Sequence, residues 1–207
     1  MKMQLSHLLF VLAAILTACC AEILCSEDLI NRVVIIVDDD IITLYDLHQA
    51  ALWNGMEYEK MTDDVKRDLV NQLINRDLVF QEINKTGGIK VDKITLDSAV
   101  ESLKAKNPDP GFSASDIEEY ARAQLIIQGF ANQRFGPLVR VGEDEIREYY
   151  QNNIAASENR QSASPPSLAE AFDSIKTILE RRAINGLLRD WLSRQRPIHK
   201  IRILEPL

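Results

Sequence analysis

The sequence predicts a mostly α-helical fold closed by a small antiparallel sheet that pairs its N- and C-terminal strands. Beyond Thr43, apolar residues recur every three or four positions along most of the chain, the period of a helix with one buried face. β-Branched runs without that period occur only near the two ends, at Val33–Val37 with Ile41–Ile42 and at Ile201–Ile203. With 8 Gly, 7 Pro and 6% aromatic residues in 207, the composition is too poor in turn formers and rings for a sandwich or barrel. A lone strand leaves a row of backbone groups unpaired. The economical solution pairs Val33–Val37 with Ile201–Leu204 and lets the last long helix pack back on the N-terminal helices.

The elements follow in order. Arg32–Val37 reads as a strand, Asp38-Asp39-Asp40 as a tight turn and Ile41-Ile42 as a short return strand. The acidic triplet lacks the alternate ligand spacing, central Gly and closing Glu of a calcium loop. Thr43-x-x-Asp46 is a capping-box start for a helix from Leu44 to about Trp53, ended by Asn54-Gly55. Thr62 and Asp63 open a long helix that carries Val65, Leu69, Leu73, Val79, Phe80 and Ile83 and stops at Gly87-Gly88. Val91-Asp92 opens a third helix with Ile94, Ala99 and Leu103 on one side, and Asn107–Gly111 is a break. Ser113 or Ser115 caps a fourth helix that ends near Phe135, before Gly136-Pro137.

Val141-Gly142-Glu143 starts a fifth helix, whose acidic first turn complements the helix dipole. Ile154 to Pro166 is polar, contains two prolines and reads as a mobile loop. Ser167-x-x-Glu170 is a full capping box before a long helix bearing Phe172, Ile175, Leu179, Leu188, Trp191 and Leu192, which Pro197 terminates.

Residues 1–21 read as a secretory signal. Lys2 supplies the positive charge, Leu8–Leu16 is an apolar run too short to span a bilayer, and small residues follow. Leu16-Thr17-Ala18-Cys19 resembles a bacterial lipobox, in which Cys19 is lipidated; cleavage near Ala21 is the rival reading. An exported protein is expected, periplasmic and attached to a membrane only if Cys19 carries a lipid. Residues 22–207 then form one module of about 185 residues, long enough for a real core. The whole chain's formal charge is -7 and that of this module -8 (23 basic against 31 acidic residues, Lys2 having gone with the signal), which argues against nucleic-acid binding, since that needs a basic face.

The three cysteines, Cys19, Cys20 and Cys25, cluster at the start, so the rest of the chain holds neither a disulfide framework nor a cysteine nucleophile. His48 and His199 lie far apart in the chain, and no metal site or cofactor is expected. No catalytic set is expected either: His199 reads as a surface residue, the acids at helix starts as dipole partners, and Gly87-Gly88 as a cap with no preceding strand to make a phosphate loop. A binding surface is the remaining candidate. Leu52, Trp53, Met56, Tyr58 and Met61, around the first interhelix connection, are the candidate lining of an apolar groove tolerant of many sequences. Burial beneath the domain is the competing reading for these side chains.

Three segments in this order resemble chaperones of the SurA type. Asn31–Thr43 (NRVVIIVDDDIIT) is similar to their opening strand-turn-strand, Gln72–Val79 (QLINRDLV) to the long helix that follows, and Val141–Tyr150 (VGEDEIREYY) to the helix that leads into a parvulin-type prolyl isomerase domain. The resemblance covers nearly the whole chain beyond the signal. It implies a multi-helix core like the N-domain of that family and binding of unfolded outer-membrane or other envelope proteins without ATP. Where relatives carry a parvulin domain, this chain has only Ile154–Pro166, without His or Gly and far below the size of a folded domain. Isomerase activity is therefore not expected. The alternatives are an assembly or scaffolding factor for one dedicated envelope partner, or a prolyl isomerase relative with residual activity.

Overall fold

The computed structural model describes residues 32–106, 112–155 and 165–204. The signal region, with Cys19, and the break at Asn107–Gly111 lie outside the described residues. Among the described residues the fold is mostly helical, with six α-helices and a three-stranded antiparallel sheet made from the two ends of the chain. The chain divides into two compact units, one formed by residues up to Asp77 together with those from His199 onward, the other by Leu78–Ile198.

The first unit holds the sheet. β1 (Val33–Val37) is its central strand, flanked by β2 (Asp40–Thr43) and β3 (Ile201–Ile203). Val37 faces Asp40 across the hairpin and Ile201 across the other ladder. Ile35 likewise faces Ile42 and Ile203, and a register shift lies between Val33 and Ile35. The pairing of the chain ends expected from the strand count is thus present, extended by a hydrogen bond from the Leu204 N–H to the Val34 carbonyl at 2.9 Å. Ile198, expected in the terminal strand, precedes it and is exposed.

The hairpin turn is where the structure departs most from expectation. Asp38 sits at φ 55, a left-handed conformation that Asp tolerates better than most residues. Its N–H donates to the Lys200 carbonyl at 2.9 Å, and its carboxylate accepts the Lys200 N–H at 2.8 Å. The other carboxylate oxygen lies 2.5 Å from His199 Nδ1. His199 is therefore not a free surface residue: it is half-buried and clasps the β1–β2 turn to the start of β3.

α1 (Leu44–Trp53) follows β2 directly. Thr43 caps it reciprocally: the Asp46 N–H donates to Thr43 Oγ1 at 3.3 Å, and the Asp46 carboxylate accepts the Thr43 N–H at 2.8 Å. After a 3₁₀ turn at Tyr58–Lys60, α2 (Asp63–Lys85) begins. The apolar residues buried in the first unit come from the sheet (Val34, Ile35, Val37, Ile42), from α1 (Leu47, Ala51) and from the first half of α2 (Leu69, Val70, Leu73, Ile74). α2 ends as its Gly pair predicts: Gly87 and Gly88 take φ of 93° and 83°, and the Gly88 N–H reaches back to the Ile83 carbonyl at 3.0 Å.

The second unit is all helical. α3 (Lys93–Lys106) pairs with α4 (Ala114–Phe135), and α6 (Leu168–Gln195) packs against both α4 and the short α5 (Glu143–Tyr150). Ile94 was expected on the inner face of α3 but is 83% exposed; Leu96 is buried instead, with Ala99 and Leu103 partly buried behind it. Ser113 rather than Ser115 caps α4, and Ser167 caps α6, each in a full capping box. Hydrogen bonds from Ser113 hold the Asp116 carboxyl below its ordinary range, and those from Ser167 do the same to Glu170. α5 continues as a π-helical turn at Gln151–Ala155. Ile154 and Ala155 thus belong to a helix end and not to a loop; of the remaining expected loop, residues 156–164 lie outside the described residues.

Ile146, Ala171 and Ile175 form a small core between α5 and α6, flanked by Tyr149, Tyr150, Ile154 and Phe172. The Tyr150 hydroxyl donates to the Pro166 carbonyl at 2.9 Å, tying the end of α5 to the start of α6. At the far end of α6, Trp191 is buried against Phe130, with ring centroids 5.4 Å apart. The Arg134 guanidinium lies over both rings and pairs with Glu82 at 2.9 Å.

Two glycines inside helices give a local test of packing. A Cβ built on Gly129 of α4 would come within 2.8 Å of Ile89 Cγ2, whereas nothing lies within 4 Å of one built on Gly186 of α6. Alanine is the better helix former by about 1 kcal/mol. Gly186→Ala should therefore raise stability by up to that amount. Gly129→Ala should lower it by about 1–2 kcal/mol, because the overlap forces Ile89 out of place. Urea unfolding of the two variants beside the parent checks the contrast, and a gain at Gly129 would show that Ile89 moves aside freely.

Candidate functional site

α1 carries apolar residues on two separate faces. Leu47 and Ala51, four apart, are buried. Tyr45 and Leu52, seven apart and so nearly in line along the helix, point elsewhere and are 45% and 43% exposed. The helix ends in a Schellman motif: Gly55 is at φ 70, its N–H donates to the Leu52 carbonyl at 2.8 Å, and the Met56 N–H donates to the Ala51 carbonyl at 3.0 Å. That reversal fixes the position of Met56, which stays 39% exposed just past the helix end. On the preceding strand Ile41 is 58% exposed.

The five residues singled out from sequence do not all reach this surface. Leu52 and Met56 do. Trp53 is half-buried. Met61 is buried in the core, which removes it from any exposed groove lining. Tyr58 is half-buried in the 3₁₀ turn, its ring centroid 4.9 Å from that of His48 and 4.9 Å from Lys66 Nζ. Burial pushes the Tyr58 hydroxyl above its ordinary range; the Glu59 carboxylate adds to the effect and Arg32 opposes it. His48 Nδ1 also lies 3.3 Å from a Glu59 carboxylate oxygen, so the ring contact and this polar contact together fasten the turn to α1. Tyr58 is a brace beneath the connection more than a contact surface. Tyr45 and Ile41 were missed. The signal for Tyr45 was available in the seven-residue spacing to Leu52 on a helix whose other apolar pair, Leu47 and Ala51, already accounted for the buried face.

Among the described residues no group of three or more His, Cys, Asp or Glu side chains is placed to hold a metal ion. No helix among them is long and apolar enough to cross a membrane. The Asp38–His199 pair joins a turn to a strand, and its geometry accounts for it as a structural tie. Cys19, the candidate for lipidation, lies outside the described residues.

No protein-family model matches this chain, and no curated protein matches it. Tyr45 and Leu52 lie on one exposed face of α1 and Met56 is exposed just past its end, which supplies one aromatic ring, one branched aliphatic group and one flexible thioether, groups that adapt to varied apolar contacts.

Proposed function

We propose that this protein is an exported, ATP-independent chaperone-like module that binds unfolded or partly folded envelope proteins, outer-membrane proteins among them, through the outward face of α1. The observation that carries the reading is that Tyr45, Leu52 and Met56 remain exposed although the same helix already supplies Leu47 and Ala51 to the core. A helix needs only one apolar face to stay packed; a second face is unexplained by folding and suits contact with a partner. The resemblance of the segments at 31–43, 72–79 and 141–150 to SurA-type chaperones supports the client class. We place the protein in the periplasm, with membrane attachment only through a lipid on Cys19.

The test is light scattering of an unfolded β-barrel membrane protein diluted from denaturant, with and without the mature protein and without nucleotide. Wild type at severalfold excess should delay aggregation. Leu52→Ser combined with Met56→Ser should weaken that protection several-fold at unchanged far-ultraviolet circular dichroism, since both side chains are exposed and contribute little to the core. Equal protection by wild type and the double variant would move the site off α1. No protection by wild type would favour a factor dedicated to one folded partner.

A further inference from the structure

The charge of the chain is concentrated around these same residues. The sequence holds 31 acidic and 24 basic residues. Eight of the acidic and only one of the basic, Lys60, lie between Asp38 and Asp64, so the remainder of the chain balances at 23 of each. The entire formal excess of -7 therefore falls in the stretch that contains Ile41, Tyr45, Leu52 and Met56. Between Asp38 and Glu59 there is no Lys or Arg at all.

The structure leaves exposed the acids that flank α1 along the chain. Asp39 and Asp40 are exposed at the hairpin that leads through Ile41 into α1, and just past Met56 Glu57 is exposed at the start of the 3₁₀ turn and Glu59 within it. Local pairing offsets part of this charge. Lys60 pairs with Glu57 at 2.7 Å, His48 faces Glu59, Arg67 pairs with Asp64, and Lys66 lies over Tyr58. The Lys60 and Arg67 pairs are exposed and screen weakly, the Lys66–Tyr58 contact is half-buried, and exposed Arg32 stands at the start of α1, its carbonyl accepting the Leu44 N–H at 2.8 Å and its charge felt at Tyr58.

From this we infer that the α1 face selects its occupants by charge: it takes apolar segments of unfolded chains that are flanked by Lys or Arg and discriminates against those flanked by Asp or Glu. The inference rests on the reading of α1 as the client site and adds the chemical class of the client. The exposed apolar groups supply contact area that is indifferent to sequence, while the flanking acids attract basic flanks and repel acidic ones. Tyr45 offers a ring face to the same cations. Such selection acts within a Debye length and fades with salt. Purely apolar binding would not.

The experiment uses the mature protein and fluorescent peptides that share one apolar core of Leu, Phe, Tyr and Val and differ only in flanks of Lys, Gln or Glu. Anisotropy titrations should rank them Lys, then Gln, then Glu, with the Lys-flanked peptide bound about tenfold more tightly than the Glu-flanked one at low ionic strength. The difference should shrink to about twofold at ~0.5 M salt. Leu52→Ser with Met56→Ser should weaken binding of all three. Asp39→Lys with Glu57→Lys, both exposed positions, should erase or invert the ranking while the Gln-flanked peptide keeps its affinity. Equal binding of the three peptides by wild type would overturn the charge selection and leave the chaperone reading standing. Failure of any peptide to bind would remove both. A ranking that persists at full strength in the Leu52→Ser, Met56→Ser protein would place the selection away from α1 and overturn the inference.

Discussion

Removal of Ile198–Leu207 should cost about 4 kcal/mol or more of stability, at roughly 1 kcal/mol for each of the backbone and charge-assisted hydrogen bonds lost with β3. The cut removes the Lys200 and Leu204 links to Asp38 and Val34, and the His199 contact with the Asp38 carboxylate. It also strips one side of β1, the central strand, whose Ile35 and Val37 are fully buried. A central strand turned into an edge exposes unpaired backbone groups and an apolar rim, so the truncated protein should aggregate more readily as well as melt lower. Thermal unfolding followed by circular dichroism measures the first effect and size-exclusion chromatography the second. A melting transition within a degree or two of the parent would mean that β3 contributes no stability. The milder His199→Ala isolates the clasp: it should lower stability by about 1–3 kcal/mol, because the Asp38 carboxylate loses the imidazole contact and keeps only the Lys200 N–H among the contacts that join it to the start of β3.

Trp191→Ala should be as damaging in the helical unit, at about 3–5 kcal/mol, the range for truncating a buried large aromatic. Trp191 is buried, it meets Phe130, and it forms part of the surface beneath the Arg134 guanidinium. Alanine would leave a void next to Phe130 and deprive Arg134 of one of its two rings, although the Glu82 ion pair remains. Trp191→Phe should cost much less, about 1 kcal/mol, because most of the volume and a ring face are kept. Urea denaturation read by circular dichroism gives both values. The chain has two tryptophans, so fluorescence of the Ala variant reports on Trp53 alone and follows the sheet-bearing unit through the same titration. A loss below about 1 kcal/mol for Trp191→Ala would show that the α4–α6 contact collapses to fill the space.

Local chemistry explains which parts of this fold were legible. The capping boxes at Thr43, Ser113 and Ser167 join a hydroxyl to a carboxylate three residues on, and the helices begin where those pairs stand. Gly87-Gly88 ends α2 because only residues without a side chain take two successive positive φ values at little cost. Helix periodicity located most buried positions, but it misassigned Ile94. Near a helix start the periodic window is short, and the core side was decided by Leu96 and its contacts across the unit.

At the candidate site the balance is different. That α1 is a helix, and that it bears more apolar groups than one buried face needs, follows from Leu44–Met56 as written. Which of those groups stay outside does not. Met61 and Leu52 are comparable in hydrophobicity, yet Met61 is buried and Leu52 exposed; the reversal at Gly55 and the 3₁₀ turn at Tyr58–Lys60 set that partition.

By itself, then, the order of residues determined the helical class, the ends of the helices, the strand content of the two termini and the concentration of negative charge between Asp38 and Asp64. Each depends on groups within a few positions of one another, whose spacing is visible in one dimension. Only the tertiary structure decided that β1 lies between β2 and β3, that the chain divides inside α2 into two units, and that His199 closes on Asp38 across 161 positions. Those contacts form between residues with no shared period and no local partner, where the folded backbone alone brings donor and acceptor together.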